Sequence, residues 1–166
     1  MDKIQGGCSL MKKMAIFLVI IVALFVLLGV FTNMKKEEKS KGNPYGKDKL
    51  KPATVDQLDD PNYQNLILPV ELEQDLQDSK DVTVYFYSPT NSISQKTTPV
   101  VAPLAEKLGI DLVQFNLLEF EQGWSDYGIK KTPTIVHYKN GEEQERIVGF
   151  NDEVTFEKWF EDHDIN

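Results

Sequence analysis

Cysteine is almost missing from this chain: one residue in 166, Cys8, standing ahead of a long apolar run. No intramolecular disulfide can form, so any folded domain must rest on its packed core alone. A lipid-modified cysteine would have to follow the apolar run, and Met11-Lys12-Lys13 offers an alternative start, so Cys8 is read as incidental. Histidine is nearly as scarce, with two residues. His137 and His163 have neither cysteine nor clustered carboxylates at ligand spacing, so no metal is expected. A Gly-rich phosphate loop, a Ser-His-Asp arrangement and an internal repeat are all lacking, and no cofactor is expected. Basic charge is also short: residues 52–166 hold 22 acidic against 8 basic side chains, a net −14. A field of that sign repels phosphate backbones, which excludes nucleic acid as the expected partner.

What is present begins with Met14 to Thr32, a stretch without a charge. About 20 apolar residues at a 1.5 Å rise match a ~30 Å hydrocarbon core, so this segment reads as a single-pass membrane anchor. No small-x-small cleavage site comes before Met34-Lys35-Lys36, which argues against a cleaved signal peptide. Lysines flank both ends, and the richer downstream side alone would place the C-terminal part of the chain in the cytoplasm. The position near the N-terminus behind Lys12-Lys13 is that of a signal anchor, and the expectation is a cell-membrane protein with its soluble domain extracytoplasmic. From Asn33 to about Asp60 the chain is rich in Lys, Glu, Gly, Pro, Asn and Asp, too polar to offset its own ordering entropy. The resulting plan is a tail over 1–13, an anchor over 14–32, a flexible charged linker over 33–60 and a folded domain over 61–166.

The folded part alternates strand and helix patterns. Asn65–Leu68 reads as a short strand, and Pro69 opens a helix to about Ser79 with Leu72 and Leu76 four apart. Asp81–Tyr87 is β-branched and aromatic, as a central strand should be. Ser92 to Leu108 carries Ile93, Val100, Val101, Leu104 and Leu108 on one helical face, ends at Gly109, and is interrupted by Pro99 and Pro103. Asp111–Leu117 is a further strand, a short helix lies near Gln122–Tyr127, and Lys139-Asn140-Gly141 joins two runs as a hairpin. Asn151 or Asp152 caps a last helix with Val154, Phe156, Trp159 and Phe160. The order β-α-β-α-β-α-β-β-α describes an α/β fold, a central mixed β-sheet flanked by helices.

Specific residues then carry a family resemblance. The loop Ser88-Pro89-Thr90 leads to Asn91-Ser92-Ile93-Ser94, Pro99 stands five residues beyond, Tyr127 to Thr134 includes Thr132-Pro133, and Val148-Gly149-Phe150 comes after the hairpin. In order and spacing, Leu66 to Phe160 resembles the thioredoxin family, most of all its membrane-tethered, single-domain members from Gram-positive bacteria. The resemblance implies a thioredoxin-like fold with a cis Thr132–Pro133 bond. It also puts Asn91 and Ser94 where the family has Cys-x-x-Cys, and Tyr85 in place of a buried acid used for proton transfer.

The departures bear on function. An amide and a hydroxyl cannot attack or resolve a disulfide, so dithiol chemistry is excluded for this chain as written. Asn91, Ser92 and Ser94 serve equally as helix N-caps, or as a pocket for an anion or a partner's thiolate. If Thr132–Pro133 is cis, the Thr132 backbone faces a groove and can pair with extended polypeptide as an added strand. Trp124 and Tyr127 either line that groove or pack inward. The candidate substrate-binding set is Thr90, Asn91, Ser94, Thr132, Pro133 and Gly149, with no catalytic residue. The first expectation is a membrane-tethered polypeptide-binding module. The alternatives are a thiol-disulfide oxidoreductase of redox homeostasis whose cysteines have been replaced, and an accessory protein of peptide or bacteriocin export.

Overall fold

A computed structural model describes residues 5–39 and 42–163. The chain divides into two units, residues 1–41 and 42–166. The described part of the first unit is one helix, α1 (Gln5–Lys39). Within it Lys13–Val30 has a mean hydropathy of 2.9 and no buried residue, which makes it apolar and long enough to cross a membrane.

The second unit is built on a four-stranded sheet in the order β2-β1-β3-β4. Strand β1 (Val82–Tyr87) pairs in parallel with β2 (Leu112–Asn116) and antiparallel with β3 (Thr134–Lys139), which turns back through a hairpin into β4 (Glu142–Val148). The expected first strand at Asn65–Leu68 is reduced to a single parallel bridge, Leu66 to Gln114. Pro69 cuts it short: as the first residue of α3 (Pro69–Gln77) it commits the chain to helix, and Glu71 reaches back to accept the Leu68 N–H at 2.8 Å.

Strand alternation sorts the core into two layers. Tyr85, Tyr87, Leu112 and Ile135 face α4 (Ser92–Leu108) and α6 (Glu153–Asp162), where they meet Val101, Leu104, Phe156 and Phe160. Val84, Phe86, Phe115 and Val136 face the other way, onto Leu72 of α3 and the aromatics around the short α5 (Gly123–Asp126). Every residue of β1 after Val82 is buried because both sheet faces are covered. The free edge is β4, where Glu142, Glu143 and Glu145 are exposed and discourage pairing with another sheet.

The linker expected over residues 33–60 requires correction at both ends. Helix α1 continues to Lys39, and from Gly42 onward the chain packs on the sheet. Tyr45, Leu50 and Val55 form a small core of their own, with α2 (Pro52–Val55) as its helical turn. The segment is polar in composition, but its polar groups find partners. Buried Asn116 donates to the Tyr45 hydroxyl and to Thr54 Oγ1, both at 3.3 Å. The Glu119 carboxylate, its side chain 1% exposed, accepts the Lys51 N–H at 2.8 Å and pairs with Lys47 Nζ at 3.3 Å. Lys47 also lies over the Phe120 ring, 4.6 Å from its centroid.

One carboxylate thus fastens this strap. Glu119→Ala should leave the Lys51 N–H without its acceptor and the Lys47 ammonium with only the residue-119 main-chain carbonyl and the Phe120 ring, and cost about 1–3 kcal/mol. Faster tryptic cleavage after Lys47 and Lys49, with a lower denaturation midpoint, is the expected readout; unchanged cleavage would show that the apolar cluster holds the strap alone.

Candidate functional site

Two chain segments meet at the end of the sheet where β1 finishes and β3 begins. Phe86 opposite Thr134 is the last antiparallel pair between them. Continuing that register sets Tyr87 and Ser88, on the way out of β1, beside Thr132 and Pro133, on the way into β3. Ser88 opens the turn into α4; Pro133 receives the Gly149 N–H on its carbonyl at 2.8 Å, which draws in the residues after β4. Thr90, Asn91, Ser94, Thr132, Pro133 and Gly149 are therefore gathered at one end of the domain.

On the α4 side the caps are complete. Asn91 stands in extended conformation at the N-cap, and its Oδ1 accepts the N–H groups of Ile93 (2.8 Å) and Ser94 (2.9 Å). Those are the donors an anion or thiolate would use at a helix start, so the side chain itself fills that role. Ser94 is 1% exposed and its Oγ accepts the Ser88 N–H at 3.4 Å. The Ser88 and Thr90 hydroxyls lie 3.1 Å apart, and Gln95 Nε2 donates to the Pro89 carbonyl at 2.7 Å. The helix runs through Pro99 and Pro103, both on its exposed face, while the hydroxyls of Thr97 and Thr98 bond back to the carbonyls of Ile93 and Ser94.

Beneath this turn lies Tyr85. Its hydroxyl sits 3.0 Å from Thr98 Oγ1 and 3.4 Å from the Ser94 carbonyl, and its ring stacks on Tyr87 at 5.7 Å. The Thr98 hydroxyl already donates to Ser94, so Tyr85 is the donor to Thr98. Burial pushes the Tyr85 and Tyr87 hydroxyls far above the ordinary phenol value, and both stay neutral. Tyr87 touches the Tyr45 hydroxyl of the strap at 3.3 Å. The group under the α4 N-terminus is therefore a fixed hydrogen-bond donor with no proton to exchange near neutral pH.

On the opposite side the Thr132–Pro133 peptide bond is cis, and both residues are buried. Among the described residues the main-chain N–H and C=O of Thr132 have no hydrogen-bond partner. Gly149 takes φ +87°, a region that favours glycine, and its neighbours Val148 and Phe150 are 47% and 53% exposed. Ile93, at 38%, is the exposed apolar residue of the first α4 turn. Trp124 and Tyr127 do not line this surface; they pack inward, with the Tyr127 ring 5.2 Å from Phe86 and 5.4 Å from Phe115.

A thioredoxin family model matches residues 65–162, more than half of the chain and the whole of this sheet. The chain belongs to the thioredoxin family. Thioredoxin of Rickettsia bellii is similar at 27% identity over 89 residues, 52% of this chain and 85% of that protein. Thioredoxin 1 of a Nostoc species is 31% identical over 84 residues, 49% of this chain and 78% of its own. The solution structure of oxidised thioredoxin from Plasmodium falciparum superposes with a TM-score of 0.51 at 17% identity, covering 60% of this chain and 96% of that one; it speaks for the fold alone. The thioredoxin match starts at residue 65, so the strap over 42–60 lies outside it.

Some participants at this end of the domain carry no sequence signal of their own. Tyr45 and Asn116 reach the Tyr87 side of the site through contacts 42 and 71 residues apart in the chain. Asn116 does sit at the C-terminal end of a parallel strand, where open sheets present polar groups, and that position is the one hint available.

Proposed function

We propose that this thioredoxin-family domain is a non-catalytic polypeptide-binding module tethered to a membrane through α1. Asn91 and Ser94 occupy the family's two cysteine positions, and the groove between α4 and Thr132 is used without covalent exchange. The observation that carries this reading is the unpaired main chain of Thr132, flanked by the exposed apolar side chains of Val148 and Phe150. An extended segment laid there gains two main-chain hydrogen bonds and apolar contact, the pattern of strand addition. Thiol chemistry has no support: Cys8 is the single cysteine, and Tyr85 below α4 is held neutral.

The test uses the full chain in lipid nanodiscs and a reduced, alkylated, unfolded polypeptide as ligand. Binding is expected, with Thr132→Pro weakening it about tenfold by removing the main-chain donor, and Thr132→Val, which keeps the main chain, leaving it unchanged. Thermal melting of both variants separates lost binding from lost folding. Absence of binding by the unmodified chain overturns the reading.

A further inference from the structure

Charge is not spread evenly over this acidic domain. Of the eight basic side chains after residue 51, three, Lys130, Lys131 and Arg146, line one cleft of about 690 Å³ between the chain entering β3 and the edge strand β4. The cleft adjoins the groove. Its wall includes Thr134 and Val148, which face each other at the end of the β3–β4 ladder, and Lys131 directly precedes Thr132.

The three cations have different duties. Arg146 is committed within the domain: its Nε and Nη2 hold the two Glu143 carboxylate oxygens at 2.6 and 2.5 Å, and Nη1 and Nη2 donate to the carbonyls of Gly128 and Tyr127 at 3.2 and 3.4 Å. That fork pins to β4 the loop that leads to Lys130 and Lys131. The two lysines themselves are exposed, and among the described residues neither takes part in a salt bridge. Glu143 is spent on Arg146, so the cleft presents two positive charges with no internal counter-charge. Further along β4, Glu142 and Glu145 are exposed, and the sign reverses within a few residues.

We infer that the polypeptide held in the groove is an extended segment carrying an acidic residue, Asp or Glu, which lies against Lys130 and Lys131 beside an apolar residue seated on Val148 and Phe150. This rests on the polypeptide-binding reading above and adds the ligand's chemical class to it. Residues 42–166 carry a net charge of −12, and against that background the cleft is a local positive site that favours an acidic segment, so it selects the register as well as the partner. The reversal at Glu142 and Glu145 penalises a run of acids extending along the edge, and the preferred ligand has one or two carboxylates.

The full chain in nanodiscs of zwitterionic lipid is titrated with three unstructured decapeptides of one apolar core, flanked by two Glu, two Gln or two Lys. The Glu peptide is expected to bind about five- to tenfold more tightly than the Gln peptide, with a preference that shrinks as salt is raised. In the double variant Lys130→Gln, Lys131→Gln the Glu and Gln peptides should bind alike, with the Gln peptide's affinity unchanged. Equal binding of Glu and Gln peptides by the unmodified chain, or a preference for Lys, overturns the inference and leaves the polypeptide-binding reading standing. Failure of all three peptides overturns both. Concentration-dependent self-association lost in the same double variant would assign the cleft to a second copy of this chain and overturn the inference.

Discussion

The double variant Asn91→Cys, Ser94→Cys should acquire a disulfide and dithiothreitol-dependent reduction of insulin, where the unmodified chain gives no activity above background. The reason lies in what Asn91 does now. Its Oδ1 takes the N–H groups of Ile93 and Ser94 at 2.8 and 2.9 Å, and a thiolate sulfur in that place inherits both donors and the positive end of the α4 dipole. Helix N-termini lower thiol pKa values to roughly 3.5–7.5, which supplies the nucleophile at neutral pH. Losing the amide cap costs about 1 kcal/mol, which the thiolate partly restores.

Residue 94 lies one helical turn on and is 1% exposed, with only a 3.4 Å hydrogen bond from Ser88 to lose. A sulfur there is shielded from solvent and suited to resolving a mixed disulfide. Ser94→Cys alone should stay silent, since it lacks the exposed nucleophile. Turnover by the double variant is expected to be limited in its second step, because Tyr85 is neutral and gives no base below the helix. Mass spectrometry after oxidation, allowing for Cys8, reads out the bond. If residues 91 and 94 cannot form it in a folded protein, they do not stand at the family's cysteine positions, and the inactivated-oxidoreductase alternative loses its ground.

Gly141→Ala is expected to destabilise the domain by about 2–4 kcal/mol, a large loss for one methyl group. Two costs add. Gly141 has φ +78°, where an L side chain is strained by roughly 1 kcal/mol. A Cβ there would also press on the main-chain carbonyl of Leu76 at the end of α3, with Ser79 Cα 3.3 Å away. Neither is a flexible side chain that can turn aside.

The hairpin cannot simply withdraw, because the Gly141 N–H donates to the Lys80 carbonyl at 3.1 Å and the Asn140 N–H to Asp81 Oδ1 at 2.7 Å. Moving the turn breaks both bonds and lifts β3–β4 from the α3–β1 connection. A urea titration of the variant measures the loss; a change below about 0.5 kcal/mol, the range of a neutral surface substitution, would mean that α3 yields and the contact carries no weight. Gly149→Ala makes a useful control: it has a similar φ of +87° but open space around it, so it isolates the backbone cost.

Positions 91 and 141 differ in how much of their role is written locally. Asn140-Gly141 between two β-rich runs announces a hairpin through local turn chemistry, but nothing local says that the turn abuts α3, 65 residues earlier for Leu76. Asn91 is legible as a cap from its residue type and its place before a helical pattern. That its side chain takes both free donors, and so closes the anion reading, emerges only in the folded chain. The strap over 42–60 reads as a linker because composition reports only how much apolar surface a segment offers. Tyr45, Leu50 and Val55 are few, yet Asn116 and Glu119 satisfy the polar groups between them, and partners that distant in sequence leave no periodic trace.

The sequence by itself determined the apolar span, the order of strands and helices from Pro69 to Asp162, the absence of a dithiol and the acidic surface, because each is set by composition, period or residue type within a short window. Tertiary structure alone decided three things: that residues 42–60 belong to the domain, that Thr132 keeps an unpaired main chain beside the α4 turn, and that Lys130, Lys131 and Arg146 converge in an otherwise acidic domain. All three depend on which strands the sheet places side by side, and long-range pairing is information that no local stretch of chain contains.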